Sequence, residues 1–227
     1  MNKRLLIDVN VPRTAAASLA RVIDQKTITW GPVTTKHNVI DYGPAFPDVG
    51  RFLRENIPFI PSLAIKGNEM GLEFFTYTLL DFERWNVPPP IDWAGRDICA
   101  LFHLKEIDLD LHFGSVVMDS NPETFRRFLK FLEKQLEEPL LLTLKAKMKQ
   151  EQSRDCCHFM IAHRFDLDGF VTLDGDFIGP CNQVAKSLDI KLRCYSPRDI
   201  CRKLRIDKID ESWFAARSDP HIFYEQV

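Results

Sequence analysis

Short apolar runs and amphipathic stretches alternate most regularly at the two ends of the chain. Near the start, residues 4–12 form a short apolar run that carries Asp8, and this run predicts a strand that Pro12 closes. Thr14 is a suitable N-cap for a helix predicted over Ala15 to Ile23. The chain is therefore expected to open with a strand followed by a helix.

The stretch after Ser153 predicts a helix, a turn and a second apolar strand. Asp155 opens the helix, and apolar positions up to Phe165 have the spacing that packs a helix onto a sheet. Residues 166–169 form the turn, and residues 170–173 form a buried strand. Together the two ends favour an α/β fold, with a central, mainly parallel sheet flanked by helices on both faces.

Acidic residues stand at the carboxyl ends of both predicted strands. Asp8 ends the first strand, and Asp174 and Asp176 follow the second. Ligand sites in open α/β sheets lie at this edge, so Asp8 and Asp174 converge if the two strands are neighbours. The start of the later helix can bring Asp155 to them. Each acid alone also fits an ordinary turn or a helix start.

Three segments in this order resemble the PIN-domain nucleases. They are LLIDVN near the start, D-x-x-H-x-x-x-A from Asp155 to Ala162, and T-x-D-x-D-F from Thr172 to Phe177. The resemblance covers both ends of the chain and implies a PIN-like fold. It also implies a nuclease in which three or four acids bind one or two divalent ions and cut RNA, less often DNA. The remaining elements expected on this basis are a helix over 184–188, an edge strand over 190–195 and a last helix over 199–204.

The resemblance implies metal ligands and catalytic groups among the acids. Asp8, Asp155 and Asp174 match the family's catalytic acids, and Asp176 matches a more variable fourth acid. All four are expected to bind Mg²⁺ or Mn²⁺, because hard cations of this kind prefer oxygen ligands. Clustered carboxylates repel one another and raise each other's pKa, and a bound cation removes that cost.

A further catalytic acid is expected from a helix in the first half of the chain. Residues 58–62 are the candidate strand before this helix, and residues 63–77 are the candidate helix itself. Glu69 lies at a suitable distance after the strand and is the first choice. Glu73 lies one turn later on the same face and is the alternative.

Three further side chains are expected near the acids. Asn10 and Thr172 have positions from which they would orient the metal-binding carboxylates through hydrogen bonds. His158 lies one turn after Asp155. We interpret His158 as a structural or substrate-side group, because carboxylate sites for Mg²⁺ rarely use imidazole.

The middle of the chain departs from the compact family pattern. Residues from about 80 to 152 are interpreted as a segment inserted into a single domain over residues 1–205. Its pattern predicts a strand over 107–113 and a helix over 122–137. Residues 206–227 are expected to form a C-terminal extension.

Composition sets wide limits. The chain has 227 residues, of which 45% are hydrophobic and 27% charged, as in an ordinary globular domain. No apolar run is long enough to span a membrane, and the start is unlike a secretory signal, so we expect a cytoplasmic protein. The six cysteines form no C-x-x-C pair, which argues against a structural zinc site.

Three classes of function stay open from the sequence. The first is a metal-dependent endoribonuclease, such as the toxin of a toxin–antitoxin pair, whose partners would be RNA, an antitoxin and a second copy in a dimer. The second is a catalytically silent PIN-like module that binds RNA or protein. The third is an unrelated hydrolase or phosphatase, which Asn10 disfavours because a D-x-D pair would be expected at the first strand. The net charge of −2 does not mark a nucleic-acid binder, although Arg126, Arg127 and Lys130 share one predicted helix.

Overall fold

A computed structural model describes residues 3–14, 18–44, 50–85, 98–109, 122–136 and 138–210. In chain order the strands are β1 (Arg4–Ile7), β2 (Ser18–Trp30), β3 (Val33–Pro44), β4 (Glu73–Tyr77), β5 (Lys105–Ile107), β6 (Gly169–Val171) and β7 (Arg193–Tyr195). The labelled helices are α1 (Asn10–Thr14), α2 (Arg51–Asn56), α3 (Phe59–Glu69), α4 (Thr78–Trp85), α5 (Pro122–Gln135), α6 (Pro139–Lys147), α7 (Ser153–Arg164), α8 (Gly175–Ser187) and α9 (Pro197–Leu204).

A parallel five-stranded sheet in the order β5-β4-β1-β6-β7 forms the centre of the molecule. From β1 the chain moves to one side for β4 and β5, and then crosses to the other side for β6 and β7. The strand order therefore reverses between β1 and β6, where Ile7 pairs with Val171. Such a reversal opens a crevice at the carboxyl ends of the two strands.

Helices cover both faces of this sheet. Leu6 of β1 lies in a buried core with residues of α5, α6, α7 and α8. Leu5 and Ile7, which point the other way, lie in a second core with residues of α3 and α9. Because β1 is buried on both faces, its sequence is continuously apolar after Arg4 rather than alternating. The predicted α/β class, with a parallel sheet between helices, is confirmed.

The helix predicted over residues 15–23 is wrong, because residues 18–44 form the β2–β3 hairpin. Five of the eight residues from 22 to 29 are β-branched, which favours extended backbone over helix. The two-residue loop is Gly31-Pro32, and Gly31 has a φ of 60°. A glycine at positive φ before a proline suits the type II′ turn, whose twist matches that of paired strands.

The predicted strand over 58–62 is also wrong, since these residues enter α3. Pro58 is the N-cap of α3, and Pro61 lies in its first turn, where a proline removes no helical hydrogen bond. The predicted helix over 63–77 ends at Glu69, after which Gly71 turns the chain with a φ of 76°. Residues 73–77 form β4 instead, in agreement with their aromatic composition.

The segment from 80 to 152 contributes directly to the sheet and its core. It supplies the edge strand β5 and the helices α5 and α6. The strand predicted over 107–113 lies at 105–107, and residues 110–113 are outside the described part. The helix predicted over 122–137 is found at 122–135. The apolar stripe of this helix is core packing: the buried members are Phe128, Leu132 and Leu136.

The C-terminal elements follow the predicted order of helix, edge strand and helix. α8 begins nine residues earlier than predicted, at Gly175, because Asp174 caps it. β7 is an edge strand, and α9 follows Ser196, whose hydroxyl accepts a hydrogen bond from Asp199 N–H. The start of the C-terminal extension contacts the rest of the domain, since Ile209 N–H donates to Pro58 O at 3.1 Å. Residues 211–227 lie outside the described part.

Among the described residues, no helix has the length and apolar character needed to cross a membrane.

The contact between α3 and β4 gives a test of the packing. A Cβ at Gly67 would lie 2.6 Å from the ring of Phe74, which is buried and packed edge-on against Phe102. We expect Gly67→Ala to lower the free energy of unfolding by about 1–3 kcal/mol, although alanine favours helix.

Gly179→Ala in α8 is the matched control, because nothing lies within 4 Å of its added Cβ. It should raise stability by about 0.5–1 kcal/mol. Urea unfolding of the wild type and of the two variants measures these changes in the free energy of unfolding. Equal stabilisation by both substitutions would contradict the packing of Gly67 against Phe74.

Candidate functional site

The carboxyl ends of β1 and β6 place Asp8 at the crevice where the strand order reverses. Asp8 N–H donates to Val171 O at 2.9 Å, so the parallel ladder continues one residue beyond Ile7. Alternation along the strand puts the Asp8 side chain on the face of Leu6, which α7 covers. The side chain is only 3% exposed.

Thr172 and Asn10 hold the Asp8 carboxylate between the two strand ends. Thr172 Oγ1 donates to Asp8 Oδ2 at 2.6 Å, and it accepts from Asn10 Nδ2 at 3.3 Å and from Asp174 N–H at 3.1 Å. Asn10 Oδ1 also accepts from Leu173 N–H at 3.1 Å. The hydroxyl thus has its one donor and both acceptor positions filled. Both residues occupy the orienting positions that the sequence analysis expected.

The first turn of α7 brings Asp155 towards Asp8. Within the described part of the chain, the Asp155 carboxylate makes no hydrogen bond and no ion pair. Burial, followed by the negative charge of Asp8, raises the pKa of Asp155 from 3.8 to about 7. The two carboxylates thus lie close enough to interact electrostatically.

Glu83 on α4 is the glutamate that lies with these acids. Its side chain is 12% exposed, and its Oε2 lies 3.5 Å from His158 Nε2. Its Oε1 lies 3.4 Å from Arg154 Nη1. Burial would raise the pKa of Glu83, but the charges of His158 and Arg154 hold it below its usual range.

His158 connects the acids to the core. It is buried, and its Nδ1 lies 2.6 Å from the hydroxyl of Tyr77. Burial would lower the pKa of His158, but the carboxylates of Glu83, Asp8 and Asp155 together raise it. A substrate-side role, one of the two interpretations made from the sequence, does not fit a side chain that is 1% exposed.

The two glutamates expected from the sequence lie elsewhere. Glu69 is at the end of α3, with a side chain 58% exposed and paired with Lys66. Glu73 pairs in register with Arg4 at the amino end of the sheet, and its carboxylate contacts Lys105. Because Asp8 lies at the carboxyl end, both acids are on the wrong edge of the sheet.

Asp174 and Asp176 have different surroundings. Asp174 is the N-cap of α8, where its Oδ1 accepts from the N–H groups of Asp176 and Phe177 at 3.0 and 3.1 Å. Its Oδ2 accepts from Gln152 at 3.0 Å, at the rim of the crevice. The Asp176 side chain is 77% exposed and paired with Lys149, so the structure keeps it outside the buried cluster.

Glu83 could have been predicted from the sequence if residues 73–77 had been recognised as a strand. The rule applied to residues 58–62, a strand ending in a small polar residue and then a helix, describes β4 and α4 instead. β4 ends at Tyr77, Thr78 follows, and Glu83 lies in the helix after it. The signal was the aromatic run of residues 74–77, which is typical of a strand.

The residues present fit a divalent cation. One ligand atom from each of Asp8, Glu83 and His158 lies within 4.8 Å of the other two. Asp155, a partly buried acid whose carboxylate makes no hydrogen bond among the described residues, offers a further oxygen that a cation would satisfy. Carboxylate oxygens suit Mg²⁺ and Mn²⁺, whereas the imidazole suits transition metals better than Mg²⁺.

The chain matches no protein-family model, no curated protein and no solved structure.

The raised pKa of Asp155 predicts a pH-dependent cost in stability, that is, a decrease in the free energy of unfolding of the metal-free protein. The cost develops as pH rises above 3.8, where unfolded Asp155 ionises, and it levels off above about 7, where the folded side chain also ionises. In EDTA at pH 8, we expect Asp155→Asn to raise the free energy of unfolding by about 1–3 kcal/mol. At pH 5 this increase in the free energy of unfolding should be less than half as large.

Asp176→Asn provides the control, because it makes the same chemical change at an exposed carboxylate. Its effect should stay within about 0.5 kcal/mol at both values of pH. A destabilised Asp155→Asn protein at pH 8 would show that Asp155 has a stabilising partner.

Proposed function

We propose that the chain has a PIN-like fold and is a metal-dependent nuclease that hydrolyses phosphodiester bonds of RNA. The observation that carries this proposal is the cluster of Asp8, Glu83 and His158 at the carboxyl ends of β1 and β6, with Asp155 close enough for the charge of Asp8 to act on it. Burial and the charge of Asp8 raise the pKa of Asp155 to about 7, and within the described part its carboxylate makes no hydrogen bond. A catalytic cation is the simplest reason for such an arrangement, because it offsets the repulsion among the acids.

Each side chain has a distinct part in this proposal. Asp8, fixed by Thr172 and Asn10, offers a rigid oxygen at the base of the crevice. Asp155 and Glu83 approach from two helices and provide further oxygens for Mg²⁺ or Mn²⁺. When bound, such an ion activates water and stabilises negative charge on a phosphate. Asp174, at the rim, would position the ion or the attacking water.

The rim of the crevice carries groups suited to a phosphate backbone. Arg154 contacts Glu83 and is 50% exposed, and Lys149 contacts Asp176 and is 62% exposed. Both cations lie next to the acids on the sequence segment that leads into α7. Their exposure makes them available for contacts with RNA phosphates, and such contacts weaken as salt rises.

A catalytically silent module that binds RNA or protein is the second candidate. It is favoured by the partners that three of the acids already have in the protein. Asp8 binds Thr172, Asp174 caps α8, and Glu83 faces His158 and Arg154. In this alternative, His158 carries the positive charge that a metal ion would otherwise supply.

Cleavage of labelled RNA tests the proposal. Single-stranded RNA, structured RNA and single-stranded DNA should be incubated with the protein in Mg²⁺, in Mn²⁺ and in EDTA. We expect metal-dependent cutting of RNA, and a loss of roughly 100-fold or more in Asp8→Asn and in Asp155→Asn. These substitutions remove a charge with little change of shape.

Glu69→Gln is the matched control, because this exposed glutamate lies away from the crevice, and its variant should cut RNA at the wild-type rate. Equal activity in Asp8→Asn would remove the metal role of the site. If RNA binds but no substrate is cut with either metal, the silent module is the better account.

A further inference from the structure

We propose that His158 is itself a metal ligand, and that the site therefore selects a first-row transition-metal dication over Mg²⁺. The inference rests on the proposed metal-dependent function and specifies its cofactor. It departs from the expectation, made from the sequence, that an all-carboxylate site leaves this histidine unligated.

The ligand atoms have the separation that a shared ion requires. His158 Nε2, one Asp8 oxygen and one Glu83 oxygen all lie within 4.8 Å of one another. Two ligands at about 2.1 Å from one ion are at most about 4.2 Å apart, so a small movement of side chains suffices. The 3.5 Å between His158 Nε2 and Glu83 Oε2 exceeds the usual length of an N–H···O hydrogen bond, of about 2.9 Å. That distance suits two neighbouring ligands of one ion.

The surroundings of His158 fix the direction in which Nε2 points. The ring packs against Phe170, with 5.9 Å between ring centroids, and Nδ1 lies 2.6 Å from the Tyr77 hydroxyl. When Nδ1–H donates to Tyr77, Nε2 presents its lone pair to the two carboxylates. Metal-bound histidines characteristically hold their second nitrogen in such a hydrogen bond.

The chemistry of the donors sets the selectivity. Mg²⁺ prefers oxygen ligands and keeps several of its waters, whereas imidazole nitrogen suits the first-row transition metals. Binding displaces any proton held on Nε2, because only the neutral imidazole is a ligand. A structural ion pair between His158 and Glu83 would use the same two atoms, so the test must detect a metal–nitrogen bond.

Electron paramagnetic resonance of the full chain with Mn²⁺ supplies this test. We expect about one tightly bound Mn²⁺, with an electron spin-echo modulation from directly bound ¹⁴N that changes on labelling with ¹⁵N-histidine. Bound Mn²⁺ should survive a tenfold excess of Mg²⁺. A variant in which His158 is the sole histidine should keep the nitrogen signal; the residues replaced by glutamine are His37, His103, His112, His163 and His221.

Two single variants add a matched comparison on one helix. His158→Gln should lose the nitrogen signal and bind Mn²⁺ at least tenfold more weakly, while His163→Gln should behave as the wild type. Should His158→Gln fail to fold, the sole-histidine variant still decides the result, because it leaves the buried ring unchanged.

The outcomes separate this inference from the proposed function. Bound Mn²⁺ without nitrogen modulation, or ready displacement by equimolar Mg²⁺, overturns the role of His158 and leaves a carboxylate-only nuclease. No binding of Mn²⁺ also overturns it. The proposed function is tested independently, by RNA cleavage in either Mg²⁺ or Mn²⁺ and its loss in Asp8→Asn.

Discussion

Burial of the Asp8 carboxylate is the constraint on which the site depends. β1 has a strand on each side and an apolar core on each face, so the residue that follows it enters the protein interior. An ionised carboxylate in such a place costs several kcal/mol unless hydrogen bonds and a positive charge compensate it. Thr172 provides the shortest hydrogen bond, and the charge must come from His158, from a cation, or from both.

The same constraint explains the charges around Asp8. Asp8 raises the pKa of Asp155, and both acids, together with Glu83, raise that of His158. A proton held within the cluster and a bound dication are thus alternative ways to reduce its negative charge. Metal binding at the proposed site would therefore be coupled to proton release.

The strands β1 and β6 and the elements after β6 were predictable, whereas the hairpin of residues 18–44 and the elements α3, β4 and α4 were not. Local pattern and the edge rule for parallel sheets put Asp8 and Thr172 at the same edge of the sheet, but the direct pairing of β1 with β6 was left open by the sequence. The prolines led to the wrong prediction for residues 58–62, because a proline in the first turn of a helix removes no hydrogen bond and so does not exclude a helix. That error shifted the next strand and helix, so Glu83 was missed. Of the two roles predicted for His158, the structural one agrees with its burial and the substrate-side one does not; the sequence could not decide between them because burial is a tertiary property.

The hydrogen bond between Thr172 and Asp8 joins residues 164 positions apart in the sequence. During synthesis, β1 leaves the ribosome well before its neighbour β6. Contacts of such high sequence separation slow folding and expose unpaired apolar edges. The crevice therefore assembles only once β6 has been made, and a chain truncated before β6 would lack the arrangement on which activity is proposed to depend.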